Sequence, residues 1–158
     1  MHAAVARPGW VLALERLAGV VLGALVVVVL LQVISRYVLR SPMDWTADGA
    51  TILMIWVSFL GAAVAGLHRA HFALEFVADA FPPGLDRLTR AVANLLVVAV
   101  LGALTWLGLR FAWVNMGTWY ASVPLPKAAA AAAIPVSALL MIPGYLMDGV
   151  AAIRRPPS

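Results

Sequence analysis

Residues 17–34 read L-A-G-V-V-L-G-A-L-V-V-V-V-L-L-Q-V-I, without one Asp, Glu, Lys, Arg or His. A run of this length approaches the roughly 20 apolar residues needed to cross the hydrocarbon core of a bilayer. Residues 49–67, 91–109 and 128–147 form three further runs with the same property. Inside lipid there is no water to bond with the backbone, so a spanning segment must satisfy its own N–H and C=O groups, which a helix does. Strands of a membrane barrel alternate in polarity over about 10 residues, and these runs do not alternate. The reading is an all-α membrane protein with four transmembrane helices, forming a single membrane domain over residues 1–158.

Composition points the same way. The 158 residues are 64% hydrophobic and 11% charged, with a mean hydropathy of +0.97, whereas a soluble domain carries roughly a quarter charged residues. Lipid, not water, is the main solvent. The net charge of +4 does not indicate nucleic acid, because the basic residues are scattered and form no stripe interleaved with aromatics. With no cysteine in the chain, disulfides, thiol catalysis, iron–sulfur clusters and cysteine-bound zinc are excluded.

The first run reads as a retained helix and not as a secretory leader. It exceeds the usual apolar stretch of about 7–15 residues, and Gln32, Ser35 and Arg36 do not form a small-residue cleavage site. Of the basic residues, Arg7, Arg16, Arg69, Arg87, Arg90, Arg154 and Arg155 flank one side of the spans, and Arg36, Arg40, Arg110 and Lys127 flank the other. The excess on the first side places both termini and the middle connection in the cytoplasm.

The connections set the expected boundaries, with spans at about 17–35, 42–67, 85–110 and 128–147. Ser41-Pro42-Met43-Asp44 reads as an N-cap, a proline at the first helical position and an acid in the first turn, so the second helix is expected from Pro42. Between the second and third spans, Phe72, Phe76, Val77, Ala80 and Phe81 share one helical face. That predicts a short amphipathic helix over about 72–81 lying in the membrane interface, the alternative being an irregular loop. Trp106, Arg110 and Trp113 stack at i, i+4 and i+7 as an aromatic belt with a snorkelling arginine. Pro135 and Pro143 are expected to kink the last span.

The spans lack the groups that membrane chemistry uses. A proton- or ion-coupled carrier places an acid, His or Lys near the bilayer midplane, and a transmembrane haem protein pairs histidines inside its helices. Here His2, His68 and His71 all lie outside the apolar runs. No catalytic, cofactor-binding or metal-binding residue is assigned, and the chain does not read as an enzyme. Close packing is better supported: Gly19-x-x-x-Gly23, and the face with Gly61, Ala62, Ala65 and Gly66, are small-residue surfaces on which helices associate. One polar constellation remains. Arg36 and Arg40 end the first helix, and Asp44, Trp45 and Asp48 open the second, each charge at the helix end its dipole favours. It is either a solvated turn or a latch in which Arg36 and Asp48 approach each other.

The pattern Gln32-Val33-Ile34-Ser35-Arg36-Tyr37-Val38, then Ser41-Pro42-Met43-Asp44-Trp45-Thr46-Ala47-Asp48, resembles the small membrane subunit of tripartite ATP-independent periplasmic (TRAP) transporters. Trp56-Val57-Ser58-Phe59-Leu60-Gly61-Ala62-Ala63, Arg69-Ala70-His71, Ile134-Pro135-Val136 and Leu140-Met141 extend the resemblance in order along the chain. The family typically reads Trp-Ser-Glu-Glu where this chain has Trp45-Thr46-Ala47-Asp48, so one acid is absent and the other shortened. The resemblance implies a bacterial inner-membrane protein paired with a large multispanning permease subunit and a periplasmic substrate-binding protein. It further implies sodium-coupled uptake of organic acids. It adds Gly61, His71 and Pro135 to Arg36, Arg40, Asp44, Trp45 and Asp48 as candidate structural or partner-interface residues. The alternatives are a self-sufficient homodimeric carrier and the small subunit of a tricarboxylate-type tripartite transporter.

Overall fold

The computed structural model describes residues 9–79 and 86–154, with side chains described for residues 9–68 and 92–147. It contains α1 (Gly9–Tyr37), α2 (Trp45–Asp79), α3 (Asp86–Val114), a single-turn α4 (Ala128–Ala131) and α5 (Ala133–Arg154). Four segments are long and apolar enough to cross a membrane: Gly9–Tyr37, Trp45–His68, Val92–Val114 and Ala128–Met147. The expected four-span helical architecture is the observed one.

The helix ends differ from the expectation in ways that backbone chemistry explains. α1 runs to Tyr37 and closes through Val38 N–H and Leu39 N–H, both bonded to the Ile34 carbonyl, and Ser41 N–H, bonded to that of Ser35. Arg40 turns the chain with a φ of 51°, a left-handed conformation that costs a non-glycine residue roughly 1 kcal/mol or more. α2 then begins at Trp45, not at Pro42. The Thr46 hydroxyl bonds the Met43 carbonyl at 2.6 Å, so the stretch around Pro42 is spent on the turn and Ser41 caps nothing.

α2 is a single helix through Asp79. The segment expected as a separate interfacial helix is therefore, over residues 72–79, the uninterrupted continuation of the second span. Ala80 and Phe81 lie outside the described residues, as does the start expected at Leu85. The 35 residues of α2 rise about 52 Å at 1.5 Å each, well beyond a hydrocarbon core of about 30 Å.

The last span is interrupted at Ala132. Pro135 has no N–H to give the Ala131 carbonyl, and its ring crowds that group, so a single turn (α4) precedes the long helix. The Trp56 indole N–H repairs part of this break by donating to the Ala129 carbonyl at 3.1 Å. Pro143 stands inside α5 and leaves the Leu139 carbonyl without its ordinary donor for the same reason.

α2 is the centre of the assembly. It packs on α1, α3, α4 and α5, while among the described residues α1 packs on no helix but α2. The core cluster is Leu14, Leu60 and Ala63, with Trp56, Leu67, Leu140 and Met141 packed against it. Many of the other buried positions are small, Ala128, Ala130, Ala131, Ala133 and Ala138 among them, beside the larger Val11, Ile52 and Leu101. Lipid tails are as apolar as leucine, so helices in a bilayer associate through close packing and hydrogen bonds, not by escaping solvent. The Asn94 amide donates to the Tyr145 carbonyl at 2.7 Å, joining α3 to α5.

Gly108 is the tightest point between those two helices. A Cβ there would stand 2.8 Å from the Pro135 ring and 3.1 Å from its backbone nitrogen, neither of which can rotate away. At Gly61, by contrast, nothing lies within 4 Å. Gly108→Ala is expected to destabilise the purified chain by about 1–3 kcal/mol, the usual cost of overpacking, and Gly61→Ala to leave it unchanged. Thermal unfolding in detergent, followed by helical circular dichroism, measures both.

Candidate binding site at the α1–α2 turn

The end of α1, the turn after it and the start of α2 line an open cavity of about 180 Å³. α1 contributes Gln32, Ser35 and Arg36, the turn contributes Pro42, Met43 and Asp44, and α2 contributes Thr46 and Ala47. Ser122 closes it from the loop between α3 and α4. Ser35 and Thr46 are the buried floor, at 2% and 1% exposure. Their hydroxyls donate to local carbonyls, Ser35 to Gln32 and Thr46 to Met43, which is how short polar side chains are tolerated at a helix end.

Arg36 and Asp44 both face this space and are solvent-accessible. Of the two readings of this turn, the Arg36–Asp48 latch is not seen: among the described residues no ion pair joins the two side chains. The Asp48 carboxylate instead accepts the Ser122 backbone N–H at 2.9 Å. It thus ties the first turn of α2 to a loop 74 residues away in sequence. That loop is itself folded, with Tyr120 N–H bonded to the Leu125 carbonyl and Lys127 N–H to that of Thr118. Burial, and then the Asp48 charge, raise the Tyr120 phenol above its ordinary value of 10.0.

The remaining candidates fall in different places. Arg40 is exposed on its left-handed backbone, and Trp45 is 43% exposed at the head of α2. Gly61 is open to whatever surrounds the helices. Pro135 is an interior residue packed on Gly108, less than 2% exposed. The His71 side chain lies outside the described residues. Gly19 and Gly23 also have open space above them, and among the described residues nothing packs onto this small-residue face of α1.

One feature of the opposite end escaped the sequence reading. His68 Nε2 and Glu15 Oε1 stand 2.7 Å apart, joining α1 and α2. Glu15 precedes the first apolar run and His68 follows the second, so an antiparallel hairpin puts them on one membrane face. Among the described residues, no group of three or more His, Asp and Glu side chains is placed to hold a metal ion.

An all-helical membrane protein, with its ionisable side chains near span ends and open helix faces, belongs to the class of small polytopic subunits. The sequence profile of the tripartite ATP-independent periplasmic transporters, DctQ component, matches residues 25–155, and the chain belongs to that family. It is 28% identical over 96 residues to the sialic acid TRAP transporter permease protein SiaT of Haemophilus influenzae (strain 86-028NP), covering 61% of this chain and 16% of that protein. A putative TRAP transporter small permease protein of H. influenzae (strain ATCC 51907 / DSM 11121 / KW20 / Rd) is 27% identical over 86 residues, 54% of this chain and 53% of the relative. The chain thus spans about half the length of one curated relative and a small part of the other.

The Asp48–Ser122 bond yields a graded prediction. Asp48→Ala removes the acceptor and the favourable first-turn charge, and should cost about 1–2 kcal/mol. Asp48→Asn keeps an acceptor and should cost less, while lowering the Tyr120 pKa part of the way back toward 10.0, since the burial contribution persists. Thermal melting and ultraviolet titration of the phenols provide the two readouts.

Proposed function

We propose that this chain is the stationary scaffold subunit of a secondary transporter in the bacterial inner membrane. It holds a large permease subunit in place while that subunit moves substrate received from a periplasmic binding protein. Uptake is sodium-coupled and the substrates are organic acids. Both termini face the cytoplasm, which puts the α1–α2 turn on the periplasmic side. Family membership supports this reading, and so does the name of one relative, a sialic acid transporter permease.

The observation that carries the proposal is the distribution of ionisable groups within the four spans. Among the described residues, Glu15, Arg16, Arg36, Asp48, His68 and Arg110 all stand within about two turns of a helix or span end. The midplane stretches offer no titratable or charged group with which to couple an ion gradient to movement. A scaffold needs none. It needs lipid-compatible faces and a surface for its partner, and α1, which among the described residues packs on α2 alone, supplies both.

Reconstitution tests this directly. The purified chain in proteoliposomes should show no organic-acid uptake under imposed sodium or proton gradients. Co-reconstitution with the large subunit and the binding protein should establish uptake above background, and sodium-driven uptake by the chain alone would refute the scaffold role. In cells, Ser41→Cys and Ser122→Cys variants should react with an impermeant thiol reagent from the periplasm and Ser158→Cys should not. The reverse pattern would invert the topology.

A further inference from the structure

We propose that the cavity at the α1–α2 turn binds the zwitterionic phosphoethanolamine headgroup of a membrane lipid. Its position suits this. The site lies between the C-terminal end of one apolar span and the first turn of the next, at the depth where headgroups reside. Its open volume of about 180 Å³ is ample for a small charged headgroup.

The charges carry the argument. Arg36 and Asp44 line the same cavity, yet among the described residues neither side chain has a hydrogen-bond or ion-pair partner, and they do not pair with each other. A simple anion would satisfy the guanidinium and be repelled by the carboxylate, and a simple cation would do the opposite. A ligand carrying both signs a few bonds apart answers both. The phosphate belongs on Arg36, whose planar donors match its oxygens, beside Thr46 and Ala47, where the α2 N-terminus adds its positive dipole end. The ammonium belongs on Asp44, with the Gln32 amide alongside. A primary ammonium donates hydrogen bonds to a carboxylate, whereas the trimethylated ammonium of choline has none to give.

The apolar surroundings favour a lipid over a free zwitterion. Tyr37, Val38 and Leu39 follow Arg36 directly and are 72%, 71% and 60% exposed, and Trp45 beside Asp44 is 43% exposed. Together they provide surface for the glycerol and upper acyl chains, with an aromatic ring at the interface where such rings are favoured.

The test uses the full chain, purified and delipidated in detergent, with lipid retention read by native mass spectrometry. The lipids compared are phosphatidylethanolamine, phosphatidylcholine and phosphatidylglycerol. The wild type should prefer phosphatidylethanolamine. Arg36→Ala should weaken binding of all three by about tenfold or more, the usual effect of losing a charge-assisted bond, and Arg36→Lys should recover part of it. Asp44→Asn should abolish the preference for phosphatidylethanolamine over phosphatidylcholine. This change of selectivity is one that misfolding would not produce, and it keeps the proposal open to test even if Arg36→Ala folds poorly. Wild-type selectivity retained in Asp44→Asn would overturn the assignment. So would soluble phosphoethanolamine displacing the lipid at equal concentration, because the apolar flank would then contribute nothing. Equal affinity of the wild type for all three lipids would overturn it as well. None of these outcomes bears on the scaffold role, which rests on the spans.

Discussion

In hydrocarbon, an unpaired backbone group has no solvent to fall back on, and apolar side chains gain nothing by leaving the lipid for each other. Both halves of that constraint shape this chain. The first forces every crossing segment to be helical and demands compensation wherever a helix is broken. The break at Ala132 shows how: Pro135 removes one donor, and Trp56, reaching across from α2, supplies another to the neighbouring Ala129 carbonyl. The second makes shape the main source of attraction. Gly108 lets the Pro135 ring come close, Gly66 and Gly144 admit the ends of Met141 and Leu67, and Asn94 and Trp56 add hydrogen bonds that pin the helices.

Those contacts distribute unevenly, and the unevenness has functional meaning. α2, α3 and α5 are fastened to one another by close approach and hydrogen bonds, whereas among the described residues α1 packs on α2 alone. Around the turn, Asp48 links α2 to the folded loop that precedes α4, so this end of the molecule is tied at two levels, through helices and through the loop. Glu15 and His68 clasp the other end of the α1–α2 hairpin. A body held in this way presents fixed faces. Large apolar side chains of α1 and α3, including Val20, Val27, Leu95, Trp106 and Trp113, stay exposed in this structure.

Much of the fold was legible in the sequence because lipid imposes so coarse a rule: long runs without charge must be helices. Finer features were less so. Ser41-Pro42 reads locally as a helix start, but the left-handed Arg40 and the bond from Thr46 to Met43 commit those residues to the turn. Residues 72–79 are helical, as their amphipathic pattern suggests, but they continue α2 without a break, since a change from all-apolar to amphipathic pattern marks a change of solvent and not an end of backbone bonding. The Asp48 partner could not be read at all, because Ser122 owes its place to a loop folded by long-range bonds. Glu15 and His68, in contrast, were readable from antiparallel geometry alone, as flanks of adjacent spans. Of the turn residues, Arg36 and Asp44 do share one cavity, while Pro135 proved to be a packing residue whose importance lies in what its ring and missing donor do inside the last span.

The central claim is that this chain stays rigid while its partner moves, and an internal cross-link tests it most directly. A Cβ at Gly144 would meet the Leu67 side chain, so Leu67→Cys with Gly144→Cys brings two thiols together between α2 and α5. The chain has no native cysteine, and the partners would be made cysteine-free. Substrate uptake by the reconstituted assembly would be measured before oxidation, after it, and again after reduction. Unchanged uptake with the disulfide fully formed is the predicted result; loss of uptake that reduction restores would show that these helices must move, contradicting the account.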